Sequence, residues 1–266
     1  MKVFISADIE GVNGITHWNE TEATLPLYYN QFQHQMNMEV KAACLGAKDA
    51  KAETIFVKDA HDTARNLLAY ELPDDIILHR GWNGGICSMM AGLDETYDAV
   101  VFVGYHSPSK ASGNVLAHTM NTKISHIKIN GEIASEFLIN AYYAAYKKVP
   151  VAFLSGDKAL TEYVKQVNPN IEIVATKDTD HGATFSLHPN ITNKQIQETI
   201  KKSLTKDLSK NIVSLPSSFT IEVEYRTHAE AYSKSFFPKA KLIDSNKIQF
   251  KTKDYYDALV FMKFVL

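Results

Sequence analysis

Four short apolar runs mark out the first part of the chain: Lys2–Ala7, Thr54–Lys58, Ala99–Val103 and Val149–Leu154. Each is rich in Val, Ile and Phe and nearly continuous, the pattern of parallel strands buried on both faces. Between them lie segments of helical composition, of which residues 28–50 and Ser135–Lys147 are long enough for several turns. Strands alternating with helices predict an α/β fold with a mainly parallel sheet flanked by helices. One hairpin interrupts the alternation. Asn130-Gly131 separates two extended runs, a type I′ turn signal, and Ser135 just beyond it is placed to cap a helix that starts at Glu136.

The pattern changes near residue 190. Asn193–Leu208 reads as a basic amphipathic helix, and Phe219–Tyr225 alternates apolar and polar positions like a half-exposed antiparallel strand. Leu242–Lys251 repeats a hairpin pattern around Ser245-Asn246, and Tyr255–Leu266 reads as a terminal helix. These elements predict a smaller C-terminal α+β domain over 191–266, following an α/β metal-binding domain over 1–190. The apolar terminal helix either docks into its own domain or contributes to oligomer contacts.

Composition narrows the function classes. With 266 residues, 45% of them apolar, the chain can bury a sizeable core. A formal net charge of -2 makes neither nucleic acid nor an anionic membrane an expected partner. The opening MKVFISADIEG is too short and too acidic for a secretory signal, and no run approaches the roughly 18 apolar residues of a membrane span, so a cytoplasmic location is expected. Cys44 and Cys87 have no CxxC spacing and are too few for a disulfide framework. They read as reduced thiols, leaving His, Asp and Glu as the available metal ligands.

Those residue types collect where chemistry is expected. The four apolar runs lead into Asp8-Ile9-Glu10-Gly11, Asp59-Ala60-His61-Asp62, Gly104-Tyr105-His106 and Gly156-Asp157. Open α/β sheets bind ligands at the carboxyl ends of their strands. Strand alternation puts Asp8 and Glu10 on one face, where two buried carboxylates repel unless a cation compensates. Gly11 would let the backbone turn beside them. Taken singly, each motif also fits a solvated loop, a packed histidine or a cap. Imidazoles with carboxylates and no thiolate suit zinc, manganese or cobalt better than calcium.

Other candidates remain open. His118 is placed to act as acid, base or nucleophile, or to pack as a strand-end histidine. Asp178-Thr179-Asp180-His181-Gly182 reads as a ligand cluster or as a polar loop. Trp82-Asn83-Gly84-Gly85 is a weak candidate for a phosphate cradle and otherwise an ordinary turn. His17, His34, His79, His126, His188 and His228 have no supporting neighbours.

Ser6-Ala7-Asp8-Ile9-Glu10-Gly11 resembles the S-x-D-x-E-G opening of the D-aminopeptidase (DppA-like) family of zinc peptidases. The resemblance continues through Asp59-Ala60-His61, Gly104-Tyr105-His106, Ala117-His118-Thr119-Met120, Ile129-Asn130-Gly131-Glu132, Glu136 with Asn140, and Leu154-Ser155-Gly156-Asp157. It implies metal ligands at Asp8, Glu10, His61, His106 and Glu136. Glu136 comes from the resemblance alone. The resemblance also implies that His118 is catalytic, a role described in the family as that of a nucleophile. It implies release of N-terminal D-amino acids from short peptides and assembly into a homo-oligomeric ring, possibly a decamer. Departures include a longer interval from His106 to His118, Gln33 and Gln35 in place of an expected arginine, and a divergent 178–186 loop. They bear on substrate choice and leave the metal ligands intact.

Five ligands exceed the three usual at one catalytic zinc, so two zinc ions sharing a carboxylate are expected, with Asp8 as the bridge. The expected reaction is hydrolysis of a short peptide by an activated water, with His118 assisting as general base or acid in preference to direct attack. Rival readings are a non-peptide amidase or phosphoesterase on the same ligands, and a non-catalytic module with structural metal.

Overall fold

The computed structural model describes Met1–Leu266 in full. In chain order the elements are β1 (Lys2–Ala7), α1 (Pro26–Asp49), β2 (Thr54–Asp59), β3 (Ile77–His79), β4 (Ala99–Tyr105), β5 (Ile124–Ile129), β6 (Glu132–Ile133) and α2 (Glu136–Tyr146). They continue with β7 (Val151–Asp157), α3 (Lys158–Val167), β8 (Glu172–Asp180), β9 (Ala183–Ser186) and α4 (Pro189–Leu204). The chain closes with β10 (Phe219–Tyr225), α5 (His228–Lys234), β11 (Lys241–Asp244), β12 (Lys247–Thr252) and α6 (Tyr255–Val265).

Seven strands form one sheet in the order β3-β2-β1-β4-β7-β8-β9, parallel except for the β8–β9 hairpin. All four expected parallel strands lie in it side by side. Both faces of this sheet are covered. Val3, Ile5 and Ala7 pack with α1 and α4, whereas Phe4 joins a second core shared with α2 and the other sheet. That is why the strand sequences are apolar throughout instead of alternating. The second sheet is antiparallel, in the order β11-β12-β10-β5-β6. It takes β5 and β6 from mid-chain, while α4 packs on α1 against the first sheet.

Local chemistry explains the boundaries. Asn130 and Gly131 both have positive φ, 53° and 90°, as the β5–β6 turn requires. Ser135 Oγ accepts the Leu138 amide at 3.1 Å and starts α2 at Glu136. The helix expected from Asn193 begins earlier, at Pro189, because His188 caps it and proline suits its first position. The strand expected from Val149 begins at Val151. The Val149 amide instead closes the end of α2 on Ala144 O, and Pro150 has no N–H to give. Asp178–Asp180 lies on β8, with His181-Gly182 as the tip of the β8–β9 hairpin.

Candidate metal centre

The carboxyl ends of β1, β2 and β4 lie in register, Ala7 beside Asp59 on one side and Val103 on the other. The chain leaving β1 stays bound to β4 through Asp8 N to Val103 O at 2.9 Å and Gly11 N to Gly104 O at 2.8 Å. Gly11 does not have positive φ. Its role is close approach: an added Cβ would fall on the Tyr105 carbonyl, 2.5 Å from its carbon and 2.7 Å from that of Gly104. Behind this segment, Lys177 Nζ donates to Glu10 O at 2.5 Å and to Ile15 O at 2.7 Å, and Asn114 Nδ2 donates to Glu10 O at 3.0 Å.

Six side chains converge in front of it. His61 Nδ1 lies 3.3 Å from Asp8 Oδ1 and 3.1 Å from Glu10 Oε2. His106 Nε2 lies 3.6 Å from Asp8 Oδ2 and 3.4 Å from Glu136 Oε2. His118 Nε2 lies 3.9 Å from Glu10 Oε1 and 3.8 Å from Glu136 Oε1. Glu136 is the first residue of α2, so it enters from a helix N-terminus and not from a strand end. The five expected ligands fall into two tight groups, Asp8–Glu10–His61 and Asp8–His106–Glu136, which meet at Asp8, and a third group joins Glu10 and His106 to His118.

Each imidazole is oriented by a main-chain carbonyl on its far side. His61 Nε2 meets Thr21 O at 3.0 Å, His106 Nδ1 meets Ser107 O at 2.9 Å, and His118 Nδ1 meets Leu116 O at 3.0 Å. A carbonyl can only accept, so the outer nitrogen carries the proton in each ring and the inner nitrogen offers its lone pair when the ring is neutral. The Trp18 indole meets the His118 ring edge-on at 5.3 Å, and His106 stacks on His118 at 4.5 Å.

The converging side chains are three carboxylates and three imidazoles, with no lysine or arginine among them. Burial pushes the Asp8 carboxyl well above the usual carboxylate range, and Glu10 beside it acts in the same direction. Burial also opposes ionisation of Glu10, yet His61, His106 and His118 together hold it well below that range. Asp8 Oδ2, Glu10 Oε2 and His106 Nε2 are buried without any hydrogen-bond partner. Buried polar atoms are normally satisfied. Orphaned atoms from two carboxylates and an imidazole, all facing one point, fit a divalent cation of the zinc type.

Other acidic strand ends do different work. Asp59 accepts the amides of Asn66 at 2.6 Å and Leu67 at 2.7 Å, which shapes the loop carrying His61. Asp157 caps α3 through the Leu160 amide at 2.9 Å and accepts the Ser107 amide at 2.6 Å, fixing the residue after His106. The Asp178–Gly182 segment takes no part: His181 is 98% exposed and pairs only with Asp180. Asn83-Gly84-Gly85 is a surface turn closed by Gly85 N on Asn83 Oδ1. His17 and His188 cap helices, and His34, His79 and His126 have partners outside the centre. Gln33 bonds Asn66 O, Gln35 bonds Asn193, and neither lines the cavity described next.

A cavity of about 380 Å³ opens onto the centre, lined by Asp8, Glu10, Glu136, His61, His118, Trp18, Glu22, Asp62, Trp82 and neighbouring residues. Trp82 is fastened to the rim by its Nε1 on Asp62 O at 2.6 Å. Asp62 belongs to the strand-end cluster read from the sequence, whereas Trp18 and Glu22 carry no sequence signal, because nothing in a loop sequence shows which cavity it borders.

A parallel sheet that gathers three carboxylates and three imidazoles at one buried point defines a metal-dependent hydrolase. The family model for peptidase M55, described as D-aminopeptidase, matches residues 1–264, and the chain belongs to that family of metallopeptidases. The D-aminopeptidase of Bacillus subtilis (strain 168) is 25% identical over 260 residues, spanning 97% of this chain and 94% of the relative. The solved structure of the Zn-dependent D-aminopeptidase DppA from Bacillus subtilis, described as a self-compartmentalizing protease, has the same fold. It matches with a TM-score of 0.91 at 24% identity and covers 100% of this chain and 98% of its own. No helix is long and apolar enough to cross a membrane.

Proposed function

We propose that the protein is a two-metal aminopeptidase that releases N-terminal D-amino acids, of the D-Ala type, from short peptides. The observation that carries this reading is the pair of ligand groups meeting at Asp8 directly beside His118 in an acid-lined cavity. Asp8, Glu10 and His61 would hold one ion, and Asp8, His106 and Glu136 the other. When bound, such ions supply Lewis acidity toward a carbonyl oxygen and acidify water near neutral pH.

The chain's own residues account for the remaining steps. His118 is the most exposed of the six converging side chains, at 14%. With Nδ1 committed to Leu116 O, its Nε2 lone pair can take a proton from the attacking water and return it to the leaving amine. Glu22 and Asp62 line the same cavity, and neither is ion-paired. They suit the free ammonium of a peptide N-terminus, the group that separates an aminopeptidase from an endopeptidase. Trp18 and Trp82 flank the cavity. Preference for D-residues is supported by the activity named for the relatives.

Assembly into a homo-oligomer is supported by the self-compartmentalizing relative and by an exposed aromatic patch. Tyr232, Phe236 and Phe264 on α5, just after it, and α6 are 60%, 71% and 64% exposed. Most of α6 is already packed internally, so this patch, not the helix as a whole, is the contact we propose.

The test is hydrolysis of D-Ala-D-Ala and L-Ala-L-Ala with Zn, Mn and Co added separately. We expect cleavage of the D-peptide, its loss on chelation and its return with zinc. Chelation should also lower Tm, because ions held only by the native state stabilise it. Hydrolysis that survives removal of all metal would overturn the reading.

A further inference from the structure

A second cavity, of about 540 Å³, lies on the other side of His118. His118 belongs to the walls of both cavities. The two nevertheless differ in charge. The first contains Asp8, Glu10, Glu22, Asp62 and Glu136 and no lysine or arginine. The second is lined by Lys110 and Arg226. Its one acid, Glu224, is already matched by Lys247 at 3.2 Å and faces His126 at 3.8 Å. Neither Lys110 nor Arg226 has a carboxylate partner, so the second cavity carries spare positive charge.

Arg226 is also held in place. Its Nε donates to Thr122 O at 2.7 Å, and Thr122 lines the first cavity. One short segment, from His118 to Thr122, therefore separates the two cavities and ties the guanidinium to the centre. That bond uses Nε and leaves the two terminal nitrogens, a fork suited to a carboxylate.

A short peptide cut near its N-terminus leaves a product that ends in a free carboxylate. In the proposed reaction the leaving amine takes its proton from His118. The leaving portion must therefore lie on the His118 side of the scissile bond, where the second cavity begins. We propose that Lys110 and Arg226 bind the C-terminal carboxylate of the substrate, so that the enzyme selects di- and tripeptides by their two charged ends, amine toward Glu22 and Asp62 and carboxylate toward Lys110 and Arg226. This rests on the peptidase reading above and adds the substrate's length class and free C-terminus.

The experiment compares D-Ala-D-Ala with D-Ala-D-Ala amide on the zinc-loaded enzyme. The free acid should be favoured by about tenfold in kcat/KM, the scale of one charge-assisted hydrogen bond, with the difference in KM. In Lys110→Gln/Arg226→Gln the acid-to-amide ratio of kcat/KM should fall to near one, and the ratio is the readout because this variant also gives up the Arg226–Thr122 bond. Free alanine should compete with substrate better than alaninamide does, and only with Lys110 and Arg226 present. Lys110→Gln alone gives a smaller loss of the same kind and guards against misfolding, because the Lys110 ammonium holds nothing in the fold. Equal turnover of acid and amide by the unaltered enzyme overturns the proposal while leaving the peptidase reading intact. Failure of both peptides with every metal overturns the peptidase reading, and the proposal with it.

Discussion

Replacing Gly11 by alanine tests whether close backbone contact sets the geometry of the metal centre. The new methyl would be directed into the Tyr105 carbonyl, within 2.5 Å of its carbon. Neither wall can rotate away, because both are main chain. Relief requires the Asp8–Gly11 segment to leave β4 by roughly an ångström, against the hydrogen bond from Gly11 N to Gly104 O. Overpacking of this kind costs about 1–3 kcal/mol. A misplacement of about 1 Å at reacting groups costs on the order of 10²-fold in rate. Asp8 and Glu10 ride on the displaced segment, so zinc content should fall along with kcat. The assay is urea unfolding together with metal analysis and D-Ala-D-Ala hydrolysis, using Gly182→Ala as the control. Gly182 has no atom within 4 Å of an added Cβ and no positive φ, so its replacement should shift stability by less than about 0.5 kcal/mol. If Gly11→Ala matches that control in stability, zinc content and rate, the close-contact argument is wrong.

His118→Ala should lower kcat by about 10²–10⁴-fold, the usual contribution of a general acid–base group, with zinc content kept. Near-normal kcat with metal bound would remove His118 from the reaction. Glu39 gives a pH test at a buried carboxylate outside the six converging side chains. Burial pushes its carboxyl from 4.5 up to about 7. The unfolded chain ionises first as pH rises, so the native state binds the extra proton and stability is lost between those two values. Glu39→Gln keeps an acceptor for the Asn13 amide, which now bonds Glu39 Oε1 at 2.8 Å, and should abolish up to about 3 kcal/mol of that decline. Urea melts at pH 5 and pH 8 check this, and parallel losses in both proteins would refute it.

The parallel strands could be read from sequence because they are buried on both faces and therefore continuously apolar. The carboxyl ends of those strands then exposed Asp8, Glu10, His61 and His106. Glu136 escaped that logic because it arrives on a helix N-terminus, and only the family pattern pointed to it. β8 was illegible for a related reason. Its sequence, EIVATKDTD, turns polar where it leaves the core, and the Lys177 it carries would ordinarily be assigned to the surface. Lys177 is instead 3% exposed, spent on main-chain carbonyls behind Glu10. The division of labour among Asp59, Asp157 and the converging carboxylates Asp8 and Glu10 was equally hidden, since a strand-end acid looks the same whether it accepts amides or joins a buried cluster.

Five of the six converging side chains hang on the strand ends of one sheet with their immediate loops and on the first turn of α2, and only His118 comes from the long β4–β5 connection. The rest of the first cavity, including Trp18, Glu22, Asp62, Trp82, Asn121 and Thr122, comes from connecting segments. Substrate range and metal chemistry are thus separable in heredity. A library randomised at those connecting positions would explore new peptide ends without touching the sheet ladder that positions Asp8 and His106, so inherited variation in specificity need not pass through inactive intermediates.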